Sequence, residues 1–130
     1  MGPARARNLT LDSGALVALE RRSGRIRRLL ALAGQRSVRT YVPAGVLAQV
    51  WRGGARQQPL AALLSEPFVE VVPLDEAAAK AAGELCGRQG TDDIVDASVA
   101  LCARITWSTV ITGDPDDLRR LHPRLSVEVV

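Results

Sequence analysis

The chain has few residues of several types, and each shortage excludes a class of protein. Aromatic residues make up 3% of its 130 residues, so its core must be built from Ala, Val, Leu and Ile. No apolar run reaches the roughly 18 residues that a membrane-spanning helix needs. The basic N-terminus is not followed by the apolar segment of a secretory signal. These absences favour a globular cytoplasmic protein.

Cysteine and histidine are also scarce. Cys86 and Cys102 lie in two helix-like apolar patterns, in neither a CxxC nor a Cys/His spacing, so we expect two buried thiols and no zinc site. His122 is the only histidine, and we expect it at the surface or half-buried. No GxSxG, GxGxxG or Walker A motif is present, which argues against a serine hydrolase and a nucleotide-cofactor enzyme. We expect Trp51 and Trp107 in the core or at a subunit interface.

Arginine, in contrast, is abundant. It supplies 16 of the 17 basic residues of a chain with a net charge of +3. In the run ERRSGRIRRLL, helical spacing would place four arginines on one sector: Arg21, Arg22, Arg25 and Arg28. Guanidinium groups pair well with phosphate. The run fits either a solvated helix face or a nucleic-acid contact, and its pattern alone does not separate the two.

Apolar strands alternate with amphipathic helices along the chain. Strands are predicted at 8–12, 37–43, 68–74, 108–114 and 125–130. Helices are predicted at 13–33 with an interruption near Gly24, and at 44–53, 59–66, 75–90, 90–105 and 115–124. This alternation predicts an α/β fold with a mostly parallel sheet covered on both faces. We expect a single domain over 1–130, with 1–7 as a flexible tail.

Aspartates collect where this fold would bring separate segments together. Asp12 ends the first strand and Asp114 ends the fourth, while Asp92, Asp93 and Asp96 begin the helix that leads into the fourth strand. In a parallel sheet all three positions lie at the carboxyl edge, where ligands bind. Neighbouring carboxylates repel one another unless a cation compensates them. Hard oxygen ligands suit Mg²⁺ or Mn²⁺, so the sequence predicts a divalent-metal site.

Helix capping is the alternative explanation of these acids. Asp12 could cap the first helix, Thr91 or Asp92 the helix at 90–105, and Asp114 the helix that begins at the following proline. Capping explains Asp96 less well, because this residue is expected a full turn inside an apolar helix, where a charge is costly.

Four segments together resemble a known family. LTLDSGALVAL, VPAGVLAQVWRG, DDIVDASVALCAR and VITGDPDDLRRL occur in the order and spacing of a PIN domain, and specifically of VapC-type toxins of bacterial toxin–antitoxin pairs. The resemblance covers nearly the whole chain. It implies a three-layer α/β/α sandwich, a Mg²⁺- or Mn²⁺-dependent ribonuclease, a homodimer, and a small antitoxin that blocks the acidic pocket.

The resemblance also assigns roles to residues. It implies Asp12, Asp96 and Asp114 as metal ligands and catalytic acids, Asp93 as a further catalytic acid, and Asp117 as an auxiliary residue. Asp92 and Asp116 rank lower. The arginines expected to grip RNA phosphates at the rim are Arg21, Arg22, Arg25, Arg28, Arg52 and Arg56.

One position departs from the family pattern. A glutamate is usual in the segment matched by VLAQVWR, and here the residue is Gln49. Its amide brings no charge, so we expect weaker metal binding or a heavier reliance on Asp93. The departure leaves a second function open, a catalytically weak or inactive module that binds RNA or protein. A receiver-like phospho-acceptor domain fits poorly, since it needs a lysine after a late strand and the only lysine is Lys80, inside an Ala-rich helix.

Overall fold

A single sheet of five parallel strands organises the structure. The computed structural model describes residues 7–130. The strands lie in the order β3-β2-β1-β4-β5, and every neighbouring pair is parallel. Their bounds are β1 Asn8–Leu11, β2 Thr40–Pro43, β3 Val69–Val72, β4 Ser108–Thr112 and β5 Val127–Val129. All five predicted strands are confirmed, each shorter than its apolar run suggested.

Helices cover both faces of this sheet. They are α1 Ser13–Glu20, α2 Gly24–Gln35, α3 Ala44–Val50, α4 Gln58–Leu64 after a short 3₁₀ turn at Ala55–Gln57, α5 Glu76–Gln89, α6 Ile94–Thr106 and α7 Pro115–Leu121. Right-handed crossovers place the helices that follow β1 and β2 on one face and those that follow β3 and β4 on the other. The contacts agree, because α1 packs with α2 and α4 while α6 packs with α5 and α7. The predicted three-layer α/β/α fold is confirmed.

The expected interruption near Gly24 is present, and it corrects the predicted arginine face. α1 ends at Glu20, Arg22 just beyond it has a positive φ of 62°, and Ser23 and Gly24 both have low helix propensity. Arg21 and Arg22 therefore lie in the turn between two helices, and only Arg25 and Arg28 lie on α2. The prediction that all four share one helical sector was wrong.

The core follows the sequence prediction in its thiols but not in its tryptophans. Cys86 and Cys102 are both free and buried, and His122 is half-buried. Trp51 and Trp107, however, are 41% and 42% exposed, so neither lies in the core, and their expected place at a subunit interface stays a prediction. Each is the residue that follows the last turn of a helix, Trp51 after α3 and Trp107 after α6.

The N-terminal segment and the helices bear on two further predictions. Residues 1–6 of the expected tail lie outside the described residues, and the guanidinium of Arg7 lies over the ring of Trp107, 4.8 Å from its centroid. Within residues 7–130, no helix has both the length and the apolar character needed to cross a membrane.

Candidate active site

The strand order reverses between β1 and β4, and this reversal positions the site. From β1 the chain proceeds outward to β2 and β3, whereas β4 and β5 lie on the other side of β1. Leu11 pairs with Ile111, and the next amide, that of Asp12, donates to the Ile111 carbonyl at 3.1 Å. Asp12 and Asp114 thus follow adjacent strands at the carboxyl edge, where open α/β sheets bind ligands.

Asp12 is held rigidly at this edge. It is 8% exposed, and its Oδ1 accepts a hydrogen bond from the Ala15 amide at 3.0 Å as the N-cap of α1. Burial raises the pKa of the Asp12 carboxyl, while hydrogen bonds from the Thr112 hydroxyl and from nearby backbone amides act in the opposite direction. Asp12 therefore does cap α1, as the alternative explanation predicted, and it does so from the sheet edge where the acids collect.

Two glycines let α1 approach the loop after β4. A Cβ atom on Gly14 would lie 2.7 Å from the amide nitrogen of Gly113 and 3.0 Å from its Cα, both backbone atoms that cannot move aside as a side chain would. The close approach brings the start of α1, which carries Asp12, against the segment that carries Asp114.

We expect Gly14→Ala to lower the free energy of unfolding by about 1 to 3 kcal/mol, because the added methyl group pushes α1 away from this loop. Gly83→Ala is the matched control, since a Cβ there meets nothing within 4 Å in the middle of α5. That change should instead stabilise the protein by about 0.5 to 1 kcal/mol. Urea unfolding of both variants is the measurement, and equal stability of the two would contradict the close approach.

The N-terminus of α6 supplies the next acids and corrects the predicted cap. α6 begins at Ile94, and Asp93 is its N-cap, with Oδ1 accepting from the Asp96 amide at 2.9 Å. Neither Thr91 nor Asp92 takes this role. Thr91 instead accepts a hydrogen bond from the Asp93 amide at 3.2 Å. Because the helix begins late, Asp96 stands in its first turn and not a full turn inside, where the helix dipole favours a negative charge.

Acids at three other positions affect the pKa of Asp96. Its pKa is raised to about 7, first by burial, then by the charge and hydrogen bond of Asp93, and further by the charges of Asp117 and Asp12. The pKa of Asp117 is raised mainly by Asp114 and further by Asp93, against the opposing charge of Arg120. We call the five acids the carboxylate cluster: Asp12, Asp93, Asp96, Asp114 and Asp117.

A cavity of about 280 Å³ opens beside this cluster. Asp93, Asp96 and Asp117 form its acidic wall. Sequence reasoning missed the other lining residues, which are Gln89, Gly90, Thr91, Arg120 and Leu121. Arg120 lies three residues after Asp117 on a predicted helix, where side chains at i and i+3 meet, but Arg119 lies three residues after Asp116, so this spacing did not single out Arg120. The side chains of Asp117 and Arg120 lie 3.5 Å apart.

Asp12, Asp114, Gln49 and the two acids ranked lower are not among the residues that line the cavity. Asp114 is exposed and precedes α7 without a side-chain capping bond, and its amide donates to the Thr112 hydroxyl at 2.9 Å. Gln49 is exposed in the last turn of α3, a helix that begins directly after β2. The other two are exposed acids, Asp92 and Asp116.

The predicted arginines are exposed but dispersed. Arg21 and Arg22 follow the end of α1, about 12 Å of helix away from Asp12. Arg25 lies 4.0 Å from Glu128 of β5. Arg52 donates to backbone carbonyls of its own segment. The remaining two are exposed on α2 and on the 3₁₀ turn, Arg28 and Arg56.

The carboxylates of the cluster suit a divalent cation, although they do not lie close enough together to form a ready site. Within residues 7–130, no three His, Cys, Asp or Glu side chains are close enough to form a ready metal site. The cluster nevertheless offers only carboxylate oxygens, the ligands that Mg²⁺ and Mn²⁺ prefer. Burial and then the charges of neighbouring acids raise the pKa of Asp96, and a cation would relieve the repulsion between these acids.

Comparisons with known proteins agree with this fold. Three similar solved structures are VapBC2 from Rickettsia felis bound to a DNA fragment from its promoter (19% identity, TM-score 0.71, 94% of this chain and 98% of that chain covered), DNA-bound VapBC from Salmonella typhimurium (20%, 0.63, 95% and 98%), and VapBC-5 from Mycobacterium tuberculosis (24%, 0.52, 96% and 98%). At these identities the likeness shows a shared fold. No curated protein sequence matches the chain.

The family model for the PIN domain matches residues 9–122, which include the whole carboxylate cluster. The chain belongs to the PIN-domain family.

Proposed function

We propose that this chain is a divalent-metal-dependent ribonuclease and the toxin of a VapC-type toxin–antitoxin pair. The observation that carries the proposal is the carboxylate cluster, in which acids after β1, before α6 and after β4 act on one another's charge at the edge where the strand order reverses. Membership of the PIN-domain family and the shared fold with VapBC structures support it.

Asp12, Asp96 and Asp114 would hold the cation. When bound, Mg²⁺ or Mn²⁺ would lower the pKa of an attacking water and neutralise charge on the RNA phosphodiester. Asp12 contributes a buried carboxylate whose orientation the Ala15 amide fixes. Asp93, anchored by the Asp96 amide, or the exposed Asp114 would accept the proton of the water.

The proposed function also implies partners for this chain. Solved relatives of this fold include VapBC complexes and FitAB, each bound to DNA. We therefore propose a small cognate antitoxin for this chain, together with an RNA substrate, a homodimer and a cytoplasmic site of action.

Digestion of RNA by the purified chain tests the nuclease proposal. We expect cleavage with Mg²⁺ or Mn²⁺, none with EDTA, and none by Asp12→Asn with either metal. Cleavage that persists in EDTA, or that Asp12→Asn retains in full, would contradict it.

A weakly active or inactive binding module is the second candidate, and Gln49 is the observation that favours it. The amide occupies the position of the usual glutamate and adds no negative charge to the cluster. RNA binding without cleavage by the wild-type chain would support this candidate.

We expect Gln49→Glu to strengthen Mn²⁺ binding by about tenfold, since a further carboxylate near the site raises the affinity for a dication. Gln58→Glu, which adds the same charge at the exposed start of α4, is the control and should leave the affinity unchanged. Calorimetric titration measures both. Unchanged affinity in Gln49→Glu would place position 49 outside the site.

A further inference from the structure

The cavity beside the carboxylate cluster is lined by three acidic side chains and a single basic one. Asp93, Asp96 and Asp117 line it with negative charge, and Arg120 is its one positively charged lining residue. An RNA phosphate that enters this cavity meets repulsion from the acids wherever a bound cation does not screen them. A second positive group is therefore needed where the RNA backbone passes the mouth of the cavity.

We propose that Arg120 binds an RNA phosphate at the mouth of this cavity, next to the phosphate that is cleaved. The proposal rests on the nuclease function proposed above and adds a substrate-binding residue to it. It also separates Arg120 from the six arginines that the sequence suggested, none of which lines the cavity.

The Arg120 side chain is available for this contact. It is 80% exposed, and within residues 7–130 its guanidinium reaches one carboxylate, that of Asp117, at 3.5 Å. A guanidinium has five N–H donors in a planar fork that matches two phosphate oxygens. The long contact to Asp117 uses one end of that fork and leaves other donors for a ligand.

Asp117 orients the Arg120 side chain. The two residues lie three positions apart on α7, so the ion pair holds the guanidinium on the side of the helix that faces the acidic wall. Exposed ion pairs of this kind are weak and are easily exchanged for a stronger partner. Arg119, the preceding residue, is also exposed and does not line the cavity.

This neighbour provides a matched control. The experiment measures binding of a single-stranded RNA oligonucleotide to the full chain by fluorescence anisotropy over a range of salt concentrations. Ca²⁺ is the added cation, and a gel checks that the RNA stays intact. The chains compared are wild type, Arg120→Gln, Arg119→Gln and Arg120→Lys, and thermal unfolding of each checks that the fold is kept.

We expect Arg120→Gln to weaken RNA binding by roughly tenfold or more. The slope of log affinity against log salt should fall by about 0.7, the value for one lost phosphate contact on a single strand. Arg119→Gln should bind within about twofold of wild type, as a surface change away from the RNA does. Arg120→Lys should restore the slope but only part of the affinity, because lysine keeps the charge and lacks the fork.

Equal binding by Arg120→Gln and Arg119→Gln, whether both are weakened or neither is, would overturn the proposal. The nuclease proposal fails separately if the wild-type chain binds RNA but does not cleave it with Mg²⁺ or Mn²⁺, and the comparison of the two variants then still decides the role of Arg120. A wild-type chain that binds no RNA would overturn both.

Discussion

Replacing Asp96 by asparagine is expected to reduce RNA cleavage by on the order of 10² to 10⁴-fold, the range for loss of a group that acts on the reacting water or its metal. The substitution keeps the size of the side chain and removes its charge. The charges of Asp93, Asp117 and Asp12 all act on Asp96, so removing its charge weakens the attraction of the whole cluster for a dication.

The same variant should keep or gain stability, because the asparagine no longer repels its acidic neighbours. This separates a functional acid from a structural one, whose loss would lower activity and stability together. Asp92→Asn is the control, since Asp92 is exposed four residues earlier and does not line the cavity. Cleavage of a labelled RNA and thermal unfolding are measured on both variants. Equal cleavage by the two would contradict the assignment of Asp96.

Stability is expected to fall as the pH rises from about 4 to about 7 in the absence of divalent cations. The pKa of Asp96 is about 7 in the folded protein, against an ordinary value of 3.8. Between these values the folded chain holds a proton that the unfolded chain has lost. The free energy of unfolding therefore decreases across this window and levels off above it. The pKa values of Asp12 and Asp117 are raised in the same direction and add to the trend.

A dication should reverse this loss, because it binds the deprotonated cluster of the folded chain. Excess Mg²⁺ is expected to raise the unfolding temperature more at about pH 8 than at about pH 5, where Asp96 is protonated. Asp96→Asn should show a flatter pH dependence and a smaller response to Mg²⁺. Thermal unfolding with EDTA or with Mg²⁺ at both pH values is the measurement. A wild-type chain that gains stability with pH in EDTA and ignores Mg²⁺ would contradict the cluster's electrostatics.

The sheet and the convergence of the acids could be predicted from the sequence because they depend on order along the chain. Short apolar runs that alternate with helices leave few topologies other than a parallel layered fold. Asp12 and Asp114 end two of those runs, so both had to reach the carboxyl edge. That β1 and β4 are neighbours follows from the strand order, which only the structure provides.

Details that depend on where a helix begins were harder to predict. Thr91, Asp92 and Asp93 are all acceptable N-caps, and the choice of Asp93 moves Asp96 from the helix interior into its first turn. The sequence indicated an interruption near Gly24, but not that the break at Arg22 and Ser23 would separate Arg21 and Arg22 from the helix that carries the other arginines.

The pKa of Asp96 and the role of Arg120 were beyond the reach of sequence reasoning. The first is a sum over burial and the charges of Asp93, Asp117 and Asp12, which requires their distances. The second depends on which side of the short helix α7 faces the cavity, and Arg119 and Arg120 are identical in the sequence pattern.

The central claim is that acids from distant positions form one carboxylate cluster whose mutual repulsion a dication relieves, and NMR titration of the Asp96 carboxyl tests it most directly. We predict a pKa of about 7 in EDTA and a fall of at least about one unit with saturating Mg²⁺, because the cation favours the ionised acid. A pKa near the ordinary 3.8 in EDTA, unchanged by Mg²⁺, would mean that Asp96 titrates alone, and the proposed metal site would be wrong.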